Sequence, residues 1–155
     1  MEAAASLYQA HGESILAISG MQRLLKRYDA AIEHTQETMG KAKVADTCGL
    51  CAEKMGSCCF QEVETWYDPI LLFINLLLTG DLPRYRQTPG QCLFLGEKGC
   101  RLRAHYSFCL NYFCPSLRIQ LGPALMDTLL AVVGQELAAG WELETALYRW
   151  FEERA

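Results

Sequence analysis

The sequence predicts a mainly α fold: a small helical domain spanning residues 1–155, with two cysteine-rich irregular segments that form a metal site. Three observations carry this. Apolar residues recur at three-four spacing in the first quarter of the chain, no stretch shows convincing strand alternation, and all eight cysteines fall between the helical stretches. With 155 residues, 51% of them apolar, the chain is about one domain long and can bury a core of its own.

The first helix is expected over about 14–40. Ile18, Met21, Leu25, Tyr28, Ile32 and Met39 form one stripe broken only by Thr35, and Gly40 marks its end. The stripe suits packing on the chain's own core; the alternative is a coiled-coil seam giving a homodimer through this N-terminal helix. The first cysteine-rich segment, 44–62, follows.

Asp68-Pro69 opens a second helix over 69–79, because Asp caps and Pro suits the first helical position, and Gly80 closes it. Its body, ILLFINLLL, is apolar on all sides and should lie at the centre of the fold. It is about half the roughly 20 residues that cross a bilayer, so a membrane is not expected as a partner. The second cysteine-rich segment runs from 84 to 118.

Gly122-Pro123 starts a helix over 123–139 that Gly140 closes, and WELETALYRWFEE forms the last, over 142–153, with Leu143, Ala146, Leu147, Trp150 and Phe151 on one side. Net charge is −4 and the isoelectric point about 5.4, which disfavours phosphate backbones and anionic lipid; nucleic acid is not an expected partner. The opening, MEAAASLYQAHGES, lacks the basic start and apolar core of a secretory signal, and a cytoplasmic location is expected.

The cysteines run Cys48-x2-Cys51-x6-Cys58-Cys59 and, after 32 residues, Cys92-x7-Cys100-x8-Cys109-x4-Cys114. A disulfide framework belongs to small secreted domains and is not needed by a chain with a good helical core. CGLC resembles a thioredoxin-type dithiol, but without the strand-helix setting that lowers its thiol pKa, and it leaves six cysteines without a role. Metal is the favoured reading, since C-x2-C turns both thiolates toward one ion and further close-spaced groups follow.

The stretch CGLCAEKMGSCC also matches the CxxCxxxxxxCC signature of the YkgJ-type cysteine-cluster family, a zinc- or iron-chelating group, and CLFLGEKGCRL looks like its second block. The resemblance covers roughly residues 46–115. RLRAHYSFC departs from the family in lacking its Arg-Pro pair and in the place of its Tyr. Some relatives, including the flagellin lysine N-methylase group, are associated with an iron–sulfur cluster, and others are linked to zinc.

Eight thiolates could make two zinc sites, yet adjacent Cys58 and Cys59 reach one ion only across a sharp turn, and a polynuclear cluster tolerates such spacing better. An iron–sulfur cluster, most simply [4Fe-4S], is therefore favoured over Zn2+. The metal-ligand candidates are Cys48, Cys51, Cys58, Cys59, Cys92, Cys100, Cys109 and Cys114. Cys48, Cys51, one of Cys58 and Cys59, and Cys100 or Cys109 lead. Cys92 and Cys114 rank lower, with burial beside Phe94, Phe108 and Phe113 as the alternative.

Lys54, Lys98, Arg101 and Arg103 are candidates to offset the negative charge of such a centre, solvated surface charge being the alternative reading of each. His105 is the one histidine placed to join it, while His11 and His34 read as surface residues. Glu62 and Glu64 read as solvated carboxylates, and no catalytic motif is visible. The expected function is metal binding with a structural or electron-transfer role. The alternatives are a metal-dependent enzyme related to the cluster-containing N-methylases and a zinc-stabilised interaction module.

Overall fold

The computed structural model describes residues 1–48 and 58–154. It is mainly α, with helices α1 (Glu2–Leu16), α2 (Ser19–Lys41), α3 (Pro69–Thr79), α4 (Ser107–Asn111) and α5 (Pro115–Glu152). A 3-10 helix, Gln61–Trp66, precedes α3, and β1 (Leu95–Gly96) pairs antiparallel with β2 (Gly99–Cys100). Residues 44–48 are helical as well.

Helix α3 follows its sequence signals. The Asp68 carboxylate accepts the Leu71 N–H at 2.8 Å, Pro69 occupies the first turn, and Gly80 closes the helix at φ 80°. Every residue from Ile70 to Leu77 is buried, which makes this helix the centre of the larger core. Its one buried polar residue is Asn75. Its amide donates to the Leu71 and Ala104 carbonyls, and its Oδ1 accepts the Arg103 and Ala104 N–H groups. A helix that must be apolar all round can carry this amide because every one of its polar groups is paired.

The first predicted helix is in fact two. α1 begins at Glu2, and the chain breaks at Ile18, whose ψ of 114° is extended, before α2 starts. The Gln22 side chain donates to the Leu16 carbonyl at 2.6 Å and so satisfies an acceptor that the break leaves open. Gly40 does not end α2. The helix runs to Lys41, and Lys43 takes the left-handed turn at φ 53°.

The α2 stripe, Met21, Leu25, Tyr28, Ile32 and Thr35, is buried within the chain. Thr35 interrupts the apolar pattern but not the packing. It is 1% exposed, and its hydroxyl donates to the Ala31 carbonyl at 3.2 Å, close to the Val132 carbonyl of α5 at 3.4 Å. Arg27 of α2 and Glu142 of α5 make a two-pronged ion pair at 2.5 and 2.9 Å.

The two predicted C-terminal helices are one, so Gly140 is not a terminator. It packs under Tyr28, whose ring would lie 3.0 Å from a Cβ at that position. The glycine is there for the close approach of α2, and the helix continues through it. Gly122 does interrupt the helix, at φ 73° and ψ 167°, so that Pro115–Leu121 forms a first arm and Pro123 opens the long one.

The buried side chains make two clusters. The larger joins α1, α2, α3 and the end of α5 through Ile15, Ile32, Phe73, Leu143 and Leu147, among others. The smaller holds Leu110, Phe113, Leu117, Met126, Leu129 and Val133.

Candidate metal centre

The two cysteine segments, separated by 32 residues of sequence between Cys59 and Cys92, lie side by side. Phe60 and Gln91 form an antiparallel bridge, and the Cys92 N–H donates to the Cys59 carbonyl at 2.8 Å. A clamp reinforces this tie. Glu64, on the 3-10 helix, pairs with Arg86 at 2.9 Å and accepts the Leu93 N–H at 2.6 Å, while Arg86 also donates to the Gln91 carbonyl. Glu64 is thus not a solvated carboxylate, and the Arg86 guanidinium beside it holds its carboxyl below the ordinary range.

Within this arrangement several thiols feel one another's charge. Cys109 is near enough to Cys92 and Cys58 for their thiolates to raise its pKa, Cys100 responds to Cys109 and Cys92, and Cys114 responds to Cys58. Burial is the first cause for Cys92, Cys100 and Cys109, and Cys100 is pushed up to about 12. Although the Cys100 residue shows surface to solvent, protein atoms crowd its sulfur. Cys58 moves the other way, to about 6, chiefly through a hydrogen bond from the Cys59 side chain.

The backbone turns N–H groups onto these sulfurs. Those of Phe94 and Leu95 act on Cys92, that of Leu102 on Cys100, and those of Ser116 and Leu117 on Cys114, lowering each thiol's pKa from two or three residues further along the chain. Such donors favour thiolate over thiol and suit cysteines that carry a metal. The β1–β2 hairpin supplies the turn that presents Cys100. Cys114 caps α5 without a side-chain cap bond and instead contacts the Ser116 hydroxyl at 3.1 Å.

Of the eight candidates, Cys58, Cys59, Cys92, Cys100, Cys109 and Cys114 share this region, Cys48 stands on the helical stretch 44–48, and Cys51 lies outside the described residues. Among the described residues no three His, Cys, Asp or Glu side chains stand close enough together to hold a metal ion. Cys92 is 5% exposed and adjoins the larger core with Phe94, as the burial alternative anticipates, and it also neighbours the other thiols.

Tyr67 has no distinguishing signal in the sequence, yet it lies under the cysteines. Its hydroxyl stands 3.7 Å from the Cys109 sulfur, it is buried against Phe94 and Tyr106, and desolvation together with Cys100 and Cys109 raises its pKa strongly. An aromatic series continues outward through Tyr106, Trp66, Phe108 and Tyr112, with Phe60 on the other side of Trp66.

The candidate counter-charges separate. Arg103 is committed elsewhere: its guanidinium bonds Asp29 at 2.7 Å, Glu33 at 2.8 Å and Gln36 at 2.7 Å, tying the cysteine loop to α2. Arg101, next to Cys100, donates to the Tyr85 and Leu93 carbonyls, covers the Tyr85 ring, and has no carboxylate partner among the described residues. It and Lys98 line a cavity of about 250 Å3 beside Cys100. Lys54 lies outside the described residues.

His105 is half-buried, its Nε2 is enclosed and has no partner among the described residues, and desolvation lowers its pKa. His11 is not a simple surface residue, since it packs edge-on against Trp150 and Phe151 at 5.4 and 5.6 Å; His34 is exposed as expected. In comparisons with protein families, curated proteins and solved structures, no family, protein or structure matches this chain.

Proposed function

We propose that this chain is a metal-binding protein in which the two cysteine segments hold a thiolate-ligated centre, an iron–sulfur cluster in preference to zinc, with a structural or electron-transfer role. The observation that carries the reading is the pairing of the segments. The Cys92 N–H to Cys59 carbonyl bond, the Phe60–Gln91 bridge and the Glu64–Arg86 clamp hold two groups of cysteines together that the sequence keeps far apart. Buried thiols that repel one another's ionisation are unfavourable as neighbouring anions, and a bound cation would reverse that.

Backbone N–H groups that lower the pKa of Cys92, Cys100 and Cys114, and the charge of Arg101, which has no carboxylate partner among the described residues, supply what a negative thiolate centre requires around it. The CxxCxxxxxxCC signature and its YkgJ-type resemblance add to this reading. The exposed face of α5 favours a second reading, a zinc-stabilised module whose working surface lies on the helices.

Iron, acid-labile sulfide and zinc are measured on protein purified without oxygen, together with its visible spectrum. Iron with matching sulfide and a broad thiolate-to-iron absorption is the expected result. Stoichiometric zinc in a colourless protein would replace the first reading by the second. Full metal retention in the Cys92→Ser/Cys100→Ser variant would overturn the placement of the centre.

A further inference from the structure

The long arm of α5 uses only half of its circumference for the core. Met126, Leu129, Val133, Glu136, Leu143 and Leu147 are buried on one side. The opposite side presents Asp127, Ala131, Gly134, Ala138 and Trp141 to solvent at three-four spacing and, two turns on and past half-buried Thr145, Arg149, with Leu130 and Tyr148 along the edge. Trp141 is 67% exposed, Tyr148 48% and Leu130 39%. This helix is also long and apolar enough, by length and composition, to cross a membrane, and only 28% of its most apolar 18-residue window is buried. A contiguous exposed apolar face of this kind marks an interaction surface.

Its charges and sizes select the occupant. Asp127 and Arg149 stand at opposite ends of the stripe, and neither has an ion-pair partner among the described residues. The one charged residue that flanks the stripe between them is Glu142, one turn from Ala138, and it is taken by Arg27. The midpoint of 127 and 149 is 138, an alanine. Reversing the helix about that point brings Trp141 over Ala131, Gly134 and Ala138, the largest side chain onto the smallest.

Gly134 supports the same reading independently. A Cβ there would meet nothing within 4 Å of the chain itself, unlike Gly140, whose neighbour is Tyr28. Within the monomer this glycine only weakens the helix relative to alanine. Opposite a second Trp141 it makes room.

We infer that this face of α5 is the two-fold interface of a homodimer, packed antiparallel against the same face of a second copy. Ala138 sits at the dyad, and each Asp127 faces the partner's Arg149. The contact between the two charged positions extends over about 33 Å, at 1.5 Å per residue, and is isologous, so every complementary pair occurs twice. The inference is independent of the metal.

Sedimentation and light scattering on the full chain across a concentration series test it. The chain is expected to be dimeric, and Trp141→Glu and Gly134→Leu to be monomeric with unchanged helix content, because both positions face solvent. Asp127→Arg should weaken the dimer at least about tenfold, since it acts twice by symmetry, and Asp127→Arg/Arg149→Asp should restore it. A parallel pair would set like charges together in both variants and show no rescue. A chain monomeric throughout, a dimer indifferent to Asp127→Arg, an unrescued double variant, or a monomer that binds lipid vesicles through Trp141 would each overturn the proposal.

Discussion

Glu136 offers a direct test of the α2–α5 interface. It is 1% exposed on the buried side of α5, and neither carboxylate oxygen has a hydrogen-bond partner among the described residues. Thr35 stands beside it but gives its hydroxyl to the Ala31 carbonyl. Burial raises the Glu136 pKa, with Thr35 and Arg103 acting in the opposite direction, and the carboxylate in turn helps raise that of Tyr28. Because the folded state holds this proton more tightly than the unfolded chain, the group favours folding below about pH 4.3, the ordinary Glu value. That contribution is lost as pH rises through the raised folded pKa.

Leaving a buried polar group unpaired costs about 1–3 kcal/mol, more when it is charged. Replacing it by Leu removes that cost and buries apolar surface in its place. Glu136→Leu is therefore expected to stabilise the protein by about 2 kcal/mol at pH 8, or about 4–8 °C in Tm for a chain of this size. The gain should be smaller at pH 4, where the wild-type group is protonated.

Urea unfolding of wild type, Glu136→Leu and Glu136→Gln across this pH range reads the difference. Glu144 also has a raised pKa, through burial and Asp68, and contributes its own slope, so the difference between wild type and Glu136→Gln is the informative quantity. A Glu136→Leu variant less stable than wild type at pH 8, or a stability difference that does not change with pH, would refute the reasoning.

Three further predictions concern the loop that carries the cysteines. Asn75→Leu orphans the Arg103 and Ala104 N–H groups and the Ala104 carbonyl inside the core, and a loss of about 3 kcal/mol in chemical unfolding is expected. Arg103→Gln should lower stability by about 1–2 kcal/mol through its lost bonds to Asp29 and Glu33 and leave metal content unchanged. Arg101→Gln should do the reverse and shift the metal content or reduction potential of the loaded protein, as the two variants measured side by side would show.

The fold was legible where local chemistry decides it. Asp68, Pro69 and Gly80 mark α3 within the chain, and the structure places each in the predicted role. The glycines at 40 and 140 carry the same local signal but different surroundings. Gly140 exists for Tyr28, a contact between residues 112 positions apart that no local pattern contains. The start of α1 escaped because Glu2–Leu16 buries only Ala4, Gly12 and Ile15, too few for a clear stripe.

The candidate site divides the same way. The cysteine grouping was readable, and so was the pairing of two segments. Which nearby cation is tied up elsewhere was not, because Arg101 and Arg103 differ only in their distant neighbours, and Tyr67 and Glu64 acquire their surroundings from loops that meet in space.

The larger core has a consequence for synthesis. Ile15, Ile32 and Phe73 share it with Leu143, Leu147 and Trp150, so the chain cannot complete that core until nearly its last helix has left the ribosome. At about 5–20 residues per second, the 92 residues that follow Cys58 up to Trp150 take roughly 5–20 s. Throughout that interval the first cysteines are thiols on an unfinished protein, open to oxidation and to stray metals. Under the proposed metal-binding reading, loading of the centre would compete with these reactions in time, and the supply of reductant and of the correct metal during translation would govern how much loaded protein is made.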